Sequence, residues 1–212
     1  LYTLTFIMIA IIDYGMGNLG SVKRKLDRLG VRSVITCVAE EIRDSEKLIL
    51  PGVGHFGNAI HEIRSRGFWD LLNREVLSEK KPILGICLGM QLMAKKSEEG
   101  DVAGFGWFDA DVVRFQVQDK LKYKVPHMGW NQVVQKKPGV LFENINPSES
   151  FYFVHSYHLK CNDQSDVLTE TEYEYPFVSS IQKDNIYGVQ YHPEKSHDGG
   201  EMMLRNFVFG AE

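Results

Sequence analysis

Pro82-Ile83-Leu84-Gly85-Ile86-Cys87-Leu88-Gly89 sets an apolar run against a cysteine that stands between two glycines. The run reads as a buried strand, and Met90-Gln91-Leu92-Met93-Ala94-Lys95-Lys96 after it reads as a helix, so Cys87 falls on a sharp strand-to-helix turn. That is the geometry of a nucleophile elbow. The glycines let the backbone turn without a Cβ clash, and a helix starting after the cysteine points its amides and dipole at the sulfur, favouring thiolate. A free cysteine is also a common small hydrophobe of core strands, and these residues alone leave both readings open.

Upstream of the elbow, strand-like runs at Met8 to Asp13, Val31 to Thr36 and Lys47 to Leu50 alternate with a helical stretch from Leu19 to Leu29 and helices between Phe56 and Ser78. This alternation predicts an α/β fold with a central, mostly parallel sheet flanked by helices. Ligand sites in such sheets lie beyond the carboxyl ends of the strands, where Cys87, Pro51-Gly52-Val53-Gly54 and Gly15-Met16-Gly17-Asn18 all fall. Downstream, period-two runs at Ser150 to His158, Val167 to Tyr173, Val178 to Lys183 and Ile186 to His192 predict additional antiparallel strands. The clearest hairpin turns about Lys183-Asp184-Asn185, and a last helix is expected from Glu201 to Phe209. No low-complexity linker or internal repeat divides the chain, so one mixed domain over residues 8 to 212 is expected.

The 212 residues are 43% apolar, enough for a substantial core. Twenty-eight acidic residues against 24 Lys and Arg give a net charge of -4, with no basic block, which argues against a nucleic-acid partner held by bulk charge. Cys37, Cys87 and Cys161 lack both a disulfide framework and zinc-type spacing, which fits a reducing cytoplasm. The apolar run from Phe6 to Ile12 is too short to span a membrane, and no basic region precedes it as in a signal peptide. The chain opens on Leu1, whereas Met8 is a natural start at a first strand, so residues 1 to 7 are expected to be an artificial remnant.

A thiol nucleophile needs a base, and the base an orienting group; His192-Pro193-Glu194 supplies both. Residues two apart on extended backbone face the same side, and Pro193 biases His192 toward that conformation. The plainer reading is a histidine at a strand end beside a solvated glutamate. A metal set drawn from His155, His158, His192 and His197 is a further alternative, although no second thiolate or helical His-x3-His pair accompanies it. The chemistry implied is acyl transfer, and its oxyanion would be held by backbone amides: that of Leu88 and one from Gly52, Val53 or Gly54. Without Cys87, the latter segment reads as an ordinary turn.

The Gly-Ile-Cys-Leu-Gly-Met-Gln elbow followed far downstream by His-Pro-Glu resembles the class I (triad) glutamine amidotransferases. Ile12 to Asn18, Pro51-Gly52-Val53-Gly54-His55-Phe56, Met128-Gly129-Trp130-Asn131 and Phe153-Val154-His155-Ser156-Tyr157 resemble, within that class, the glutaminase subunits of imidazole glycerol phosphate synthase. The resemblance runs from about Met8 to the end, and Val53, where other class members carry glycine, marks the subfamily. It implies a flavodoxin-like fold, no cofactor, a Cys87, His192 and Glu194 triad, and glutamine held at its amino-acid end by Gln91, Glu99 and His155-Ser156-Tyr157. On a helix, Gln91 would lie one turn after Cys87 on the same face.

The resemblance further implies a heterodimer with a (βα)8-barrel cyclase, which would receive ammonia through a protected passage and make imidazole glycerol phosphate and an aminoimidazole ribotide in histidine biosynthesis. The glutaminase pattern fills the chain and leaves no room for that second activity. Tyr14 to Asn18, Trp130, Asn131, Tyr152 and Lys195 are the candidates for the face meeting the barrel, with ordinary loop composition as the alternative. Free chain is expected to hydrolyse little glutamine, because the Gly52-Val53 peptide would turn to donate only when the liganded partner docks. A β-branched Val53 makes a positive-φ peptide costlier there. Rival readings are a glutaminase serving anthranilate, pyridoxal phosphate, guanylate or carbamoyl phosphate synthesis, a cysteine peptidase or related hydrolase, and a catalytically silent interaction subunit.

Overall fold

The structure, a computed structural model, describes residues 7–210, so the remnant expected at residues 1 to 7 lies, Ile7 apart, outside the described residues. Strands β1 (Met8–Ile12), β2 (Arg32–Thr36), β3 (Lys47–Gly52) and β4 (Ile83–Cys87) alternate with helices α1 (Leu19–Arg28), α2 (Ala39–Asp44), α3 (Phe56–Ser65) and α4 (Phe68–Asn73). The last runs on into a wider π turn, Arg74–Ser78. The four strands pair in parallel in the order β2-β1-β3-β4. Apolar side chains on both faces of β1, β3 and β4 are covered by helices, as a parallel sheet requires, while β2 at the edge stays half exposed.

Beyond β4 come the single-turn helix α5 (Leu88–Gln91), strands β5 (Lys96–Ser97), β6 (Val102–Ala103), β7 (Ala110–Arg114), β8 (His127–Gln132), β9 (Val134–Gln135), β10 (Ser150–His155), β11 (Tyr157–Cys161), β12 (Val167–Tyr173), β13 (Tyr175–Lys183) and β14 (Ile186–Val189), and helix α6 (His197–Phe209). β14 returns to lie parallel to β4, with Gly188 opposite Gly85 and Val189 opposite Ile86. That register carries the segment after β14 past the end of β4, beside Cys87. The sheet then continues antiparallel from β14 through β13, β11 and β7, while β8 and β10 form a separate ribbon. The hairpin about Lys183-Asp184-Asn185 pairs Ser180 with Val189 and Lys183 with Ile186. Phe56, Ile60, Ile63 and Leu72 fill the core on one face of the sheet, and Leu26, Leu204, Phe207 and Val208 fill it on the other.

Several elements differ from the sequence reading: strands β5 to β9 were not read from it, and the run from Ile186 to His192 ends as a strand at Val189. The helix expected over Met90 to Lys96 stops after one turn, because residues 104–108 fold back and donate to its free carbonyls: Gly104 N–H to Lys95, Phe105 to Leu92, Gly106 to Ala94 and Phe108 to Met93. The run from Ser150 to His158 is two strands, broken at Ser156, one in the ribbon and one in the main sheet. The last helix begins four residues before Glu201, at His197. Gly199 and Gly200 weaken helical propensity there, but a Cβ on Gly200 would lie 2.1 Å from the Pro193 carbonyl oxygen, so the glycine serves close packing.

Candidate active site

Cys87 ends β4 and precedes α5 with φ 54° and ψ -110°, a conformation costly for any residue with a Cβ. The strain sits on the cysteine and not on its glycines, neither of which is among the residues at positive φ. What the glycines supply is room. A Cβ on Gly89 would lie 1.8 Å from the Leu50 carbonyl oxygen, and one on Gly85 would lie 2.7 Å from the Gly89 carbonyl, so α5 presses directly onto β3 and β4. With one turn, α5 contributes its first free amides to the site, and the longer dipole expected from the sequence is absent.

His192 follows β14 and is buried. Its Nδ1 meets Glu194 Oε1 at 2.8 Å, with both side chains out of solvent. The turn is pinned by Ser196, whose hydroxyl donates to the His192 carbonyl at 2.6 Å and accepts from the Tyr152 amide at 2.9 Å. Nε2 has no hydrogen-bond partner. Burial by itself would lower the pKa of His192, but the Cys87 sulfur and the Glu194 carboxylate outweigh it and raise the value to about 9. The ring is therefore held as imidazolium at neutral pH, facing the nucleophile candidate.

A cleft of about 320 Å³ opens onto the sulfur, lined by Val53, Gly54, Cys87, Leu88, Gln91, Glu99, Val154, His155, Ser156, Tyr157, His192 and Lys195 among others. It thus gathers residues from the loop after β3, from β4, α5, the β5–β6 turn, the β10–β11 junction and the segment after β14. Gly52 pairs with Cys87 in the sheet register, and Val53 is not among the positive-φ residues. Both amide hydrogens of Gln91 point inward, to the Tyr157 carbonyl and to Gln190 Oε1, each at 3.0 Å, which leaves its oxygen as the atom it can offer a ligand. Glu99 Oε2 accepts from the Phe56 amide at the start of α3, at 2.8 Å. His155 has both ring nitrogens engaged, Nδ1 with the Tyr157 carbonyl at 2.8 Å and Nε2 with His127 Nδ1 at 3.1 Å, so its imidazole has no nitrogen left to hold a ligand.

The same engagement disperses the proposed metal set. His158 is tied to the Leu159 carbonyl and Tyr175, and His197 lies flat on Trp130 with ring centroids 4.7 Å apart. Burial holds His155 well below the usual imidazole range and His127 down to about 4, so both are neutral.

Of the residues expected to face a partner, Trp130 is 48% exposed, Asn18 is exposed, and exposed Lys195 lies over the Tyr152 ring at 5.6 Å. Asn131 is half-buried and donates to the Glu172 carbonyl. Tyr14 is a correction: it is fully buried, because an aromatic ring at the carboxyl end of β1 fills the core beneath the Gly52 loop. The sequence reading missed Gln190, buried two residues before His192, whose Nε2 donates to Cys87 Sγ at 3.6 Å. It missed Ser196 as well. Their shared signal was proximity to His-Pro-Glu: Gln190 shares one side of the extended segment with His192, and Ser196 closes the single turn Pro193–Lys195 that follows.

The glutamine amidotransferase class-I family model matches residues 10–211. Curated relatives include imidazole glycerol phosphate synthase subunit HisH 2 of Methanococcus maripaludis, 48% identical over 95% of this chain and 98% of its own. The protein of the same name from Pseudomonas aeruginosa is 44% identical over the same shares. Among solved structures, PurLQS of Thermotoga maritima superposes with a TM-score of 0.72 at 15% identity, covering 95% of this chain and 97% of that one. A glutamine amidotransferase of the same organism gives 0.64 at 14% identity, covering 96% of each. These two likenesses carry the fold alone.

Proposed function

The chain belongs to the class-I glutamine amidotransferases, and from that premise we infer that it is the glutaminase subunit of imidazole glycerol phosphate synthase. The observation that carries the chemistry is the single cleft onto which the strained Cys87, His192 with Glu194 buried behind it, and the Val53-Gly54 loop open. Cys87 attacks the side-chain amide carbon of glutamine. The tetrahedral oxyanion is held by the Leu88 amide and by an amide of the Gly52-Val53-Gly54 loop. His192 gives its proton to the departing nitrogen, ammonia leaves, and a thioester remains on Cys87. Neutral His192 then takes a proton from water, whose oxygen attacks the thioester and releases glutamate. Glu194 keeps the ring oriented with Nε2 toward the sulfur throughout. The Gln91 oxygen, Glu99 and the backbone of Ser156 and Tyr157 hold the amino-acid end.

Ammonia then passes to a (βα)8-barrel cyclase, with residues 8–212 acting as one amidotransferase domain in the cytoplasm. The exposed Trp130, the Lys195–Tyr152 pair and Asn18 form the docking face. Docking turns the Gly52-Val53 peptide to donate, which switches the glutaminase on. Among the described residues, no helix is long and apolar enough to cross a membrane. The test mixes the chain with the barrel cyclase and its nucleotide substrate and follows glutamate release. The parent should turn over glutamine strongly only in the mixture, and Cys87→Ala should support synthesis from ammonia but not from glutamine. Glutamine-dependent synthesis by Cys87→Ala would refute the nucleophile, and full activity of the free chain would refute the switch.

A further inference from the structure

Gln190 reaches the sulfur from the buried side, and the direction of its hydrogen bond follows from a backbone carbonyl. The Tyr157 oxygen can only accept, so the Gln91 atom 3.0 Å from it must be the amide nitrogen. The second hydrogen on that nitrogen points to Gln190 at 3.0 Å, so the facing atom of Gln190 must be its oxygen. Its remaining end, 3.6 Å from Cys87 Sγ, is then an N–H donor. The other branch agrees: His155 Nδ1 must donate to the same carbonyl, leaving Nε2 to accept from His127.

We propose that Gln190 is a positioning residue whose amide, locked by Gln91 and the Tyr157 carbonyl, holds the Cys87 sulfur as an acceptor and so favours its thiolate form. An acceptor-only role suits a thiolate, and a chain of aligned hydrogen bonds strengthens each member. Gln91 also lines the cleft, so the chain joins the substrate side to the nucleophile. The inference rests on Cys87 being the nucleophile. The titratable groups about the sulfur are His192, with Glu194 behind it, after β14; Tyr14 after β1, kept protonated by burial and by the sulfur; and neutral His155 from β10, while Glu99, Tyr157 and Lys195 line the same cleft.

The test is alkylation of Cys87 by iodoacetamide across a wide pH range, read by mass spectrometry of its peptide. A Cys37→Ser background removes the exposed thiol, and Cys161, buried and pushed up to about 12, stays silent. Gln190→Met should move the profile to higher pH and slow alkylation at neutral pH roughly tenfold, the low end for a hydrogen bond to a charged group. Losing the acceptor of a buried Gln91 N–H should lower the melting temperature by a few degrees, and a native near-UV circular dichroism spectrum shows that the variant still folds. Should the methionine variant fail to fold, Gln190→Glu, equal in shape and carrying a charge toward the sulfur, should move the profile the same way. A profile superimposing on the parent's in a folded variant overturns the proposal. Alkylation reads the sulfur directly, so this result is independent of whether glutamine is the substrate.

Discussion

Replacing Glu194 with glutamine keeps the shape of the buried pair and removes its charge. His192 stands at about 9 against an ordinary 6.5, a gap worth about 3 kcal/mol of preference for imidazolium. Two partners, the Cys87 sulfur and the Glu194 carboxylate, sustain that gap against burial. If they share it about equally, Glu194→Gln should lower the His192 titration midpoint by roughly one pH unit or more. The variant amide can also donate to Nδ1, which places the ring's proton on Nε2 and leaves no base facing the sulfur. Turnover should fall by about 10²- to 10⁴-fold, the usual worth of general acid–base catalysis. The midpoint is read by NMR titration of ¹³C-labelled histidines, with His192→Gln assigning the resonance. The sign for stability follows. A raised histidine pKa stabilises the fold fully below about 6.5, and that contribution is lost as pH rises through about 9. The deficit of Glu194→Gln in urea unfolding should therefore be largest in mild acid and shrink in alkali. An unmoved His192 midpoint in the folded variant, with turnover intact, would refute the coupling.

Other consequences are as direct. His127, held at about 4 by burial, is neutral when folded and protonated when unfolded, so stability should fall as pH drops from 6.5 toward 4. His127→Phe keeps a ring stacked on Phe153 and tilted against Tyr173 and should flatten that acid slope by about one proton in urea titrations. Gly89→Ala, with its Cβ 1.8 Å from the Leu50 oxygen, should cost about 4 kcal/mol or more and show as loss of soluble, cooperatively unfolding protein. Trp130→Ala should weaken binding to the barrel cyclase by about 2 kcal/mol, roughly thirtyfold in calorimetry, while leaving the melting temperature within a few degrees.

The parallel half of the fold was legible because its strands are short apolar runs separated by amphipathic helices, a pattern that local burial writes directly into residue order. The candidate nucleophile and the candidate base with its orienting group were each legible in a short motif of particular residue types, Gly85 to Gly89 and His192-Pro193-Glu194, although the two motifs stand far apart in the chain. The end of α5 was not, since it depends on amides from residues 104–108 docking on its carbonyls. Nor was the break at Ser156, where one alternating run serves two sheets.

By itself the sequence determined which strands are buried on both faces, where the cysteine sits on its turn, and which residues could act as base and orienting group. Only the tertiary structure decided that β14 lies beside β4, the pairing that brings His192 and Gln190 to the sulfur from the far end of the chain. It alone placed Tyr14 in the core and took up the ring nitrogens of His155. The physical reason is that burial and hydrogen-bond satisfaction are properties of neighbours in space. A side chain's partners, and therefore its charge and its availability to a ligand, are fixed when distant segments pack together.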